Sequence, residues 1–326
     1  MNTGASNPVV LEDVQIKLVK PSAPVIGRVV LNELCMNGKS ASYVKHTTFD
    51  VSGTPLAGTF RPGQSFGVIP PGKDDNGKPH KVRLYSLASP SWGEDGGGTV
   101  ISTTPKRLMG EFFPQTARDD PSDHHLFRGV CSNYLCDLKP GDEVLLSGPN
   151  GKRFQLPADY VAHDYLFLAT GTGIAPFRGM LMELLQGPGG ACGSEIHLVM
   201  GSPYTTDLLY HDLFERLAAE HSNFHYHTAI SREPRGMGRG GLYVDVLLEE
   251  RLDSFGVLLA SPRTLIYVCG LAGMQLGLFG MLARHDLDSN YCTRSVALAD
   301  TDPADWDAPA IKRGIKPTAR CMLEVY

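Results

Sequence analysis

Two rhythms of apolar and polar positions divide the chain. Up to about residue 150 the apolar positions come in short runs bounded by Gly and Pro: Val25 to Leu34, Val44 to Asp50, Phe60 to Ile69, Val82 to Ala88, Thr99 to Thr103 and Glu143 to Ser147. Short runs at this spacing predict the strands of an antiparallel barrel or sandwich. A single helix is predicted among them, over Val130 to Leu138, with Ser132 or Asn133 as its cap. Gly110 to Pro121 reads as a loop or a short helix, and Lys139-Pro140-Gly141-Asp142 as a turn. Residues 1 to about 22 read as a loosely ordered lead-in.

At Tyr165 the rhythm changes to strand followed by helix, repeated. Tyr165 to Ala169 is followed by Pro176 to Leu185, Glu195 to Gly201 by Leu208 to Glu220, Phe224 to Ile230 by Val244 to Leu252, and Leu265 to Cys269 by Met274 to Arg284. Such alternation predicts a mostly parallel sheet with helices on its faces. Asp300 to Pro309, acidic and proline-rich, reads as a surface excursion before a last strand, Cys321 to Tyr326. The expected organisation is a lead-in over 1–24, an antiparallel β-barrel over 25–160 and an α/β domain over 161–326.

Composition narrows this little. A chain of 326 residues accommodates two domains of about 150 residues each. Its apolar (42%) and charged (20%) fractions are those of a soluble globular protein, and no apolar run reaches the roughly 18 residues of a membrane span. The stretch Met1 to Pro8 is polar and lacks the shape of a signal peptide, which makes the cytoplasm the expected location. A formal charge of −5 gives no support for nucleic-acid binding. Seven cysteines without a close C-x-x-C pair argue against a disulfide framework and a structural zinc site, so no metal is expected.

Five stretches carry candidate chemistry. Tyr165 to Met182 runs from apolar strand through Gly171-Thr172-Gly173 into a helix that has Pro176 in its first turn. That order sets backbone amides against a pyrophosphate, or simply joins a strand to a helix. In Arg83-Leu84-Tyr85-Ser86, alternation puts Arg83 and Tyr85 on one face, where a guanidinium and a ring could clamp a phosphate and a flat heterocycle. A surface Arg beside a half-buried Tyr is the plainer alternative. Gly129 to Leu135, including Val130, Cys131 and Ser132, opens a helix that could receive a second phosphate set or be merely capped. Ser231-Arg232-Glu233, with Tyr243 beyond, follows a strand whose carboxyl end is where an adenosine ribose is sorted in such sheets; Ser and Arg favour a 2′-phosphate, and exposed charge is the alternative. Cys269, before Gly270, ends another strand at the ligand-binding edge or is a buried structural thiol.

Together these stretches resemble the plant-type ferredoxin–NADP(+) reductase family. The resemblance is carried by Arg83 to Ser89, Lys106-Arg107-Leu108, Gly129 to Asp137, Gly171 to Arg178, Ala229 to Glu233, Cys269-Gly270-Leu271 and the terminal Glu324-Val325-Tyr326. It implies an FAD barrel followed by a Rossmann-like NADP(H) domain whose C-terminal tail packs on the flavin. Arg83 would pair with the FAD phosphates, Tyr85 would pack on the isoalloxazine and Ser86 would stand near its N5. Val130, Cys131 and Ser132 would cradle the FAD pyrophosphate. Gly171, Thr172 and Gly173 would meet the pyridine nucleotide, Ser231, Arg232 and Tyr243 its 2′-phospho-adenosine, and Lys106 its phosphates. Cys269 and Glu324 would flank the nicotinamide, Glu324 steadying the reduced flavin or relaying a proton, and Tyr326 would stack on the flavin as a gate.

The implied activity is an oxidoreductase that couples hydride exchange with NADP(H) to one-electron transfer with ferredoxin or flavodoxin, acting as a monomer. The reductase component of a multicomponent oxygenase or epoxidase is the alternative. The chain departs from the family pattern at Asp245, where an uncharged amide is usual, and at Thr104-Pro105, where the family has a Cys. It departs also in the loop Arg235 to Gly241, which carries Arg239 but no Lys just before the Tyr, and in the segment 300–320.

Overall fold

The computed structural model describes residues 8–36, 38–114, 120, 122–236 and 240–326. The first part comprises β1 (Val25–Leu34), β2 (Lys45–Asp50), β3 (Ser65–Ile69), β4 (Arg83–Ser86), β5 (Val100–Thr103), the hairpin β6 (Met109–Glu111) and β7 (Leu126–Arg128), helix α1 (Val130–Asp137) and β8 (Glu143–Asn150). Six of the strands form an antiparallel sheet in the order β4-β3-β8-β1-β2-β5. The expected barrel is not closed by strand pairing. Its two edges still meet just beyond β4, where the Ala88 amide donates to the Ser102 carbonyl at 2.8 Å and the Thr103 hydroxyl to the Ser86 carbonyl at 2.8 Å. Phe49, Phe66, Val68, Leu87 and Leu146 fill the curve, with Phe66 edge-on to both Phe49 and Phe60. Burying each such side chain contributes about 1.5–3 kcal/mol.

The second part contains β9 (Asp164–Thr170), α2 (Ile174–Gln186), β10 (Ile196–Ser202), α3 (His211–Glu220), β11 (Phe224–Ile230), α4 (Val244–Glu250), α5 (Leu252–Ala260), β12 (Thr264–Gly270) and α6 (Ala272–Arg284). After these come β13 (Cys292–Arg294), α7 (Val296–Ala299), α8 (Ala308–Gly314), β14 (Ile315–Pro317) and β15 (Cys321–Val325). A five-stranded parallel sheet runs β11-β10-β9-β12-β15. Its central strands read as unbroken apolar runs because both faces are covered. Tyr165, Phe167, Tyr267 and Cys269 point to the core shared with α2, and Leu166, Leu168, Ile266 and Val268 to the core on the opposite face.

Several local expectations change. Residues 8–20 of the lead-in are tied down: Lys17 and Val19 donate to Pro149 and Gly148, Ala158 donates to Val10, Val9 packs on the α/β core and Val19 lies in the barrel core. The polarity that made this stretch look loose belongs to its outward side chains, while its backbone pairs like a strand. Met109–Glu111 is a strand paired with Leu126–Arg128, where a loop or short helix was expected; residues 115–119 and 121 lie outside the described residues. Helix α1 is capped by Gly129, not by Ser132 or Asn133, and the Asn133 amide group donates instead to the Leu108 and Gly129 carbonyls, both at 2.8 Å. Helix α5 was not anticipated: Gly256 and the bend at Arg251 break its pattern, yet Phe255, Leu258 and Leu259 bury one face. The excursion after residue 300 contains a short turn, Pro303–Asp305, and α8, each started by an Asp side chain that accepts an amide (Asp302 from Ala304, Asp307 from Ala310).

Candidate functional site

Two clusters of the expected residues form at different places. The first is a cleft of about 380 Å³ in the antiparallel part, lined by His80, Lys81, Arg83, Leu84, Tyr85, Leu108 and by Gly129 to Ser132. Strand β4 brings Arg83 and Tyr85 to it, and α1 points its first residues at them. No side chain caps the first amides of α1 and its first turn holds no acid. The Arg83 guanidinium has no carboxylate partner among the described residues, its one contact being 3.4 Å to the Val82 carbonyl. A cationic fork, an uncapped helix start and a half-buried ring around one cleft are a donor set for a diphosphate attached to a flat heterocycle. Burial raises the Tyr85 hydroxyl far above its ordinary range, so the ring serves as a neutral packing surface.

The segment Lys106-Arg107-Leu108 is latched to α1. Arg107 pairs with Asp137 and donates to Asn133 at 3.1 Å, and the Leu108 amide donates to the Ser132 hydroxyl at 3.3 Å. Asn133, expected only as a helix cap, and Asp137, to which no role was given, are therefore positioning residues. Lys106 itself is exposed and bridges Val44, and is not among the residues lining this cleft.

The second cluster lies at the carboxyl edge of the parallel sheet, where ligands bind in such folds. The β9–α2 turn Gly171-Thr172-Gly173 packs directly on the end of β12. A Cβ on Gly173 would lie 2.1 Å from the Cys269 carbonyl oxygen, and Gly270 holds a positive φ of 136° with its Cα facing Thr170. Only glycine fits both positions. Thr170, another residue missed at the sequence level, accepts the Leu271 amide at 2.9 Å and so ties the two turns together.

Strand β15 carries the tail to the same edge. Its register sets Glu324 beside Cys269 and Val325 beside Gly270, and the Tyr326 amide donates to the Gly270 carbonyl at 2.9 Å. The Tyr326 hydroxyl and the Thr172 hydroxyl share a hydrogen bond of 2.7 Å, while the ring stays 64% exposed. Cys269 is buried, and burial, reinforced by Glu324, raises its thiol far above the usual range, so it is a neutral surface and not a nucleophile. Burial also pushes the Glu324 carboxyl up to about 7, where it can hold or release a proton near neutrality.

Farther along this edge, Ser231 and Arg232 follow β11, their amides donating to the Ser202 and Pro203 carbonyls at 2.9 Å. Glu233 is occupied by the Thr205 amide and hydroxyl at 2.6 and 2.7 Å, which turns it away from Arg232's role. Tyr243 caps α4 and is exposed. Asp245, in the first turn of α4, lies against Gly277 of α6, close enough that a Cβ there would come within 2.4 Å of its carboxylate. Arg239 lies outside the described residues.

The two parts are locked where α2 meets the antiparallel sheet. Arg178 donates to the Ala88 carbonyl at 2.9 Å and to both oxygens of Glu94 at 2.6 and 3.0 Å; Ser102 donates to Glu94 at 2.6 Å, and Glu183 accepts from Ser91. This lock fixes the strand that ends in Ser86 against α2, the helix that follows the Gly171-Thr172-Gly173 turn. A second cleft, about 760 Å³, opens along the seam between Lys152, Arg153 and Phe154 on one side and Met322 to Glu324 on the other, with Val9 and Leu11 on its rim. Glu324 thus reaches both the sheet edge and this cleft.

The family described as an oxidoreductase NAD-binding domain matches residues 167–277. The chain is 35% identical over 325 residues to the cyanelle ferredoxin–NADP reductase of Cyanophora paradoxa, covering 96% of this chain and 80% of that protein. It is 34% identical over 318 residues to leaf isozyme 1 of the chloroplastic ferredoxin–NADP reductase of Arabidopsis thaliana, covering 97% and 81%. Among solved structures, ferredoxin–NADP+ reductase from Plasmodium falciparum superposes with a TM-score of 0.68 at 21% identity, over 95% of this chain and 99% of the other. The same enzyme with 2′P-AMP gives a TM-score of 0.68 at 20% identity.

Proposed function

This chain belongs to the ferredoxin–NADP(+) reductase family, and from that premise we propose how its own residues perform the exchange of electrons between NADP(H) and ferredoxin. Bound FAD would supply the conversion between two-electron hydride exchange with NADP(H) and one-electron exchange with the carrier. The cleft at Arg83, Tyr85 and Val130 to Ser132 has the donor set for it. Arg83 and the amides opening α1 neutralise the diphosphate, Tyr85 gives the heterocycle a flat neutral wall, and Ser86 offers a hydroxyl at the end of the same strand.

For NADP(H), Gly171 and Gly173 let the nucleotide come close to the backbone, and Thr172 meets it with a hydroxyl. Ser231, Arg232 and Tyr243 take the 2′-phospho-adenosine, with Lys106 reaching from the barrel toward its phosphates. Asp245 adds a negative charge two residues from Tyr243 and tempers the preference for the 2′-phosphate. Cys269 shapes the nicotinamide side of the site as an uncharged, buried surface. Glu324 holds a proton where solvent in the seam cleft can exchange it. Tyr326 closes the site as a gate: its ring is largely exposed, and its hydroxyl is held at the β9–α2 turn by Thr172 and the Gly173 backbone, contacts that swinging the ring aside would release.

The observation that carries this reading is the register of β15 on β12. It sets Glu324 beside Cys269 and delivers Tyr326 to Thr172 in one continuous strand. The finer reading adds flavodoxin as an alternative carrier, a monomeric state and a cytoplasmic location. The alternative of an oxygenase component is not favoured, because the relatives carry the name of the ferredoxin reductase.

Anaerobic titration of the purified protein tests the assignment. NADPH is expected to bleach the flavin absorbance with a lower requirement than NADH, and ferredoxin to restore it. No bleaching by NADPH, or restoration by none of ferredoxin and flavodoxin, would sink it. Light scattering on a sizing column, and fractionation of source cells, test the monomer and the location.

A further inference from the structure

The amino end of the parallel sheet, opposite the ligand-binding edge, holds a cluster that the reductase chemistry does not use. Glu195 and His197 alternate along the entry to β10, and His225 and His227 along β11. The parallel register sets His197 directly beside His225. All four side chains share the face that packs on α5, since His197 falls in phase with Val199, and His225 and His227 with Ala229. Phe255 of α5 meets the rings of His197 and His227 edge-on at 5.4 and 5.2 Å. Six residues of strand, about 20 Å, separate His225 from Ser231.

Glu195 Oε1 lies 3.0 Å from His197 Nε2 and 2.7 Å from His225 Nε2, and these three atoms lie within 4.8 Å of one another. Among the described residues no other group of three such side chains converges in this way. Ligand atoms around a tetrahedral ion with bonds of about 2.0 Å are about 3.3 Å apart, so small rotations of half-exposed side chains would open the triangle to metal-binding size. Two imidazoles and one carboxylate form a set that zinc favours, with a fourth position left for water. His197 is 14% exposed, while His225 and Glu195 are 40% and 44% exposed, so the triangle has a rigid inner corner and an open outer one.

Behind the triangle stands a second shell. His197 Nδ1 is 3.2 Å from His227 Nε2, and Arg251 Nη1 is 3.2 Å from His227 Nδ1. A guanidinium only donates, so His227 accepts at Nδ1, donates from Nε2 to His197 Nδ1, and leaves the His197 proton on Nε2, facing Glu195. A metal on His197 Nε2 requires the reverse order: the proton moves to Nδ1, His227 accepts at Nε2, and Arg251 loses its acceptor.

We propose that Glu195, His197 and His225 form a site for a divalent first-row transition-metal ion of the zinc class, with His227 as the orienting group and Arg251 as its competitor. Bound metal would clamp the edge strand β11 to β10 below the loop that carries Ser231 and Arg232.

The test titrates Zn2+ alone into the flavin-loaded full chain, stripped with chelator, against a chromophoric zinc indicator. Far-UV circular dichroism and flavin absorbance check the fold of every variant. One equivalent is expected to bind, and His225→Ala and Glu195→Gln to weaken it by about tenfold or more. The distant variant His285→Ala is expected to bind as the parent does. Arg251→Met is expected to bind more tightly, a gain that structural damage would not produce. Absence of binding, or binding equal in the parent, His225→Ala and Glu195→Gln, would overturn the site; unchanged or weaker binding in Arg251→Met would overturn the competitor role.

Discussion

The carboxyl of Glu324 is held between a buried strand neighbour and a solvent-lined cleft, and its burial raises it to about 7. A carboxyl raised above its unfolded value binds more protons folded than unfolded, so stability is greatest below the unfolded value and is lost as pH rises toward 7. Allowing for the part that solvent reaches, the loss is about 2 kcal/mol. Glu324→Gln keeps the shape without the ionisation, so between pH 5 and pH 8 its melting temperature should fall less than the parent's. Equal slopes in the two proteins would show that the carboxyl is not raised. At Tyr326 the prediction concerns choice of substrate. Tyr326→Ser removes both the ring and the 2.7 Å bond to Thr172, and should narrow the ratio of kcat/KM for NADPH over NADH about tenfold or more. An unchanged ratio would count against the gate. The sequence pointed to both residues through the terminal Glu-Val-Tyr of the family resemblance, but the environment of neither could be read there. The strand register and burial that set their chemistry come from β12, more than fifty residues away in the chain.

Strand and helix placement was largely legible. The period-two and period-3.6 patterns located the parallel strands within a residue or two, because in a sheet covered on both faces apolar identity and burial coincide. It failed where backbone pairing was hidden under polar or ambiguous side chains. The lead-in looked loose, the β6–β7 hairpin is three residues deep with outward-facing Leu126 and Phe127, and α5 begins on a bend at Arg251. The cap of α1 was missed because Asn133 serves the Leu108 carbonyl, a partner that only the folded hairpin supplies. The β9–α2 turn makes a strict demand on residue size. Gly173→Ala would drive a methyl into the Cys269 carbonyl, forcing β9 and β12 apart. We expect a stability loss of about 1–3 kcal/mol and a markedly raised KM for NADPH, with the visible flavin spectrum nearly unchanged. Parent-like KM and melting temperature would mean that the junction yields more easily than its packing indicates.

At the scale of the molecule, the seam is held by a salt bridge that neither sequence half announces. Arg178 and Glu94 are both mostly buried and hydrogen-bonded on several sides, and the Arg178 guanidinium lowers the Glu94 carboxyl against the opposing effect of burial. Removing one partner strands a buried charge, which costs about 3–5 kcal/mol, whereas removing both costs less than the sum. Arg178→Met and Glu94→Gln should therefore each destabilise strongly, and the double variant by clearly less than their total in denaturant melts. Strict additivity would show that the pair does not act as a unit. The pairing was invisible beforehand because 84 residues separate the partners. The strap formed by residues 8–20 has a consequence of a different kind. It threads Val9 into one core and Val19 into the other, and pairs with Gly148, Pro149 and Ala158 between them. The chain's early residues are thereby woven into its middle, so neither sheet can melt without releasing apolar side chains belonging to the other. Heating should then produce one calorimetric transition whose van't Hoff and calorimetric enthalpies agree, so that folding, like electron transfer, depends on both halves together.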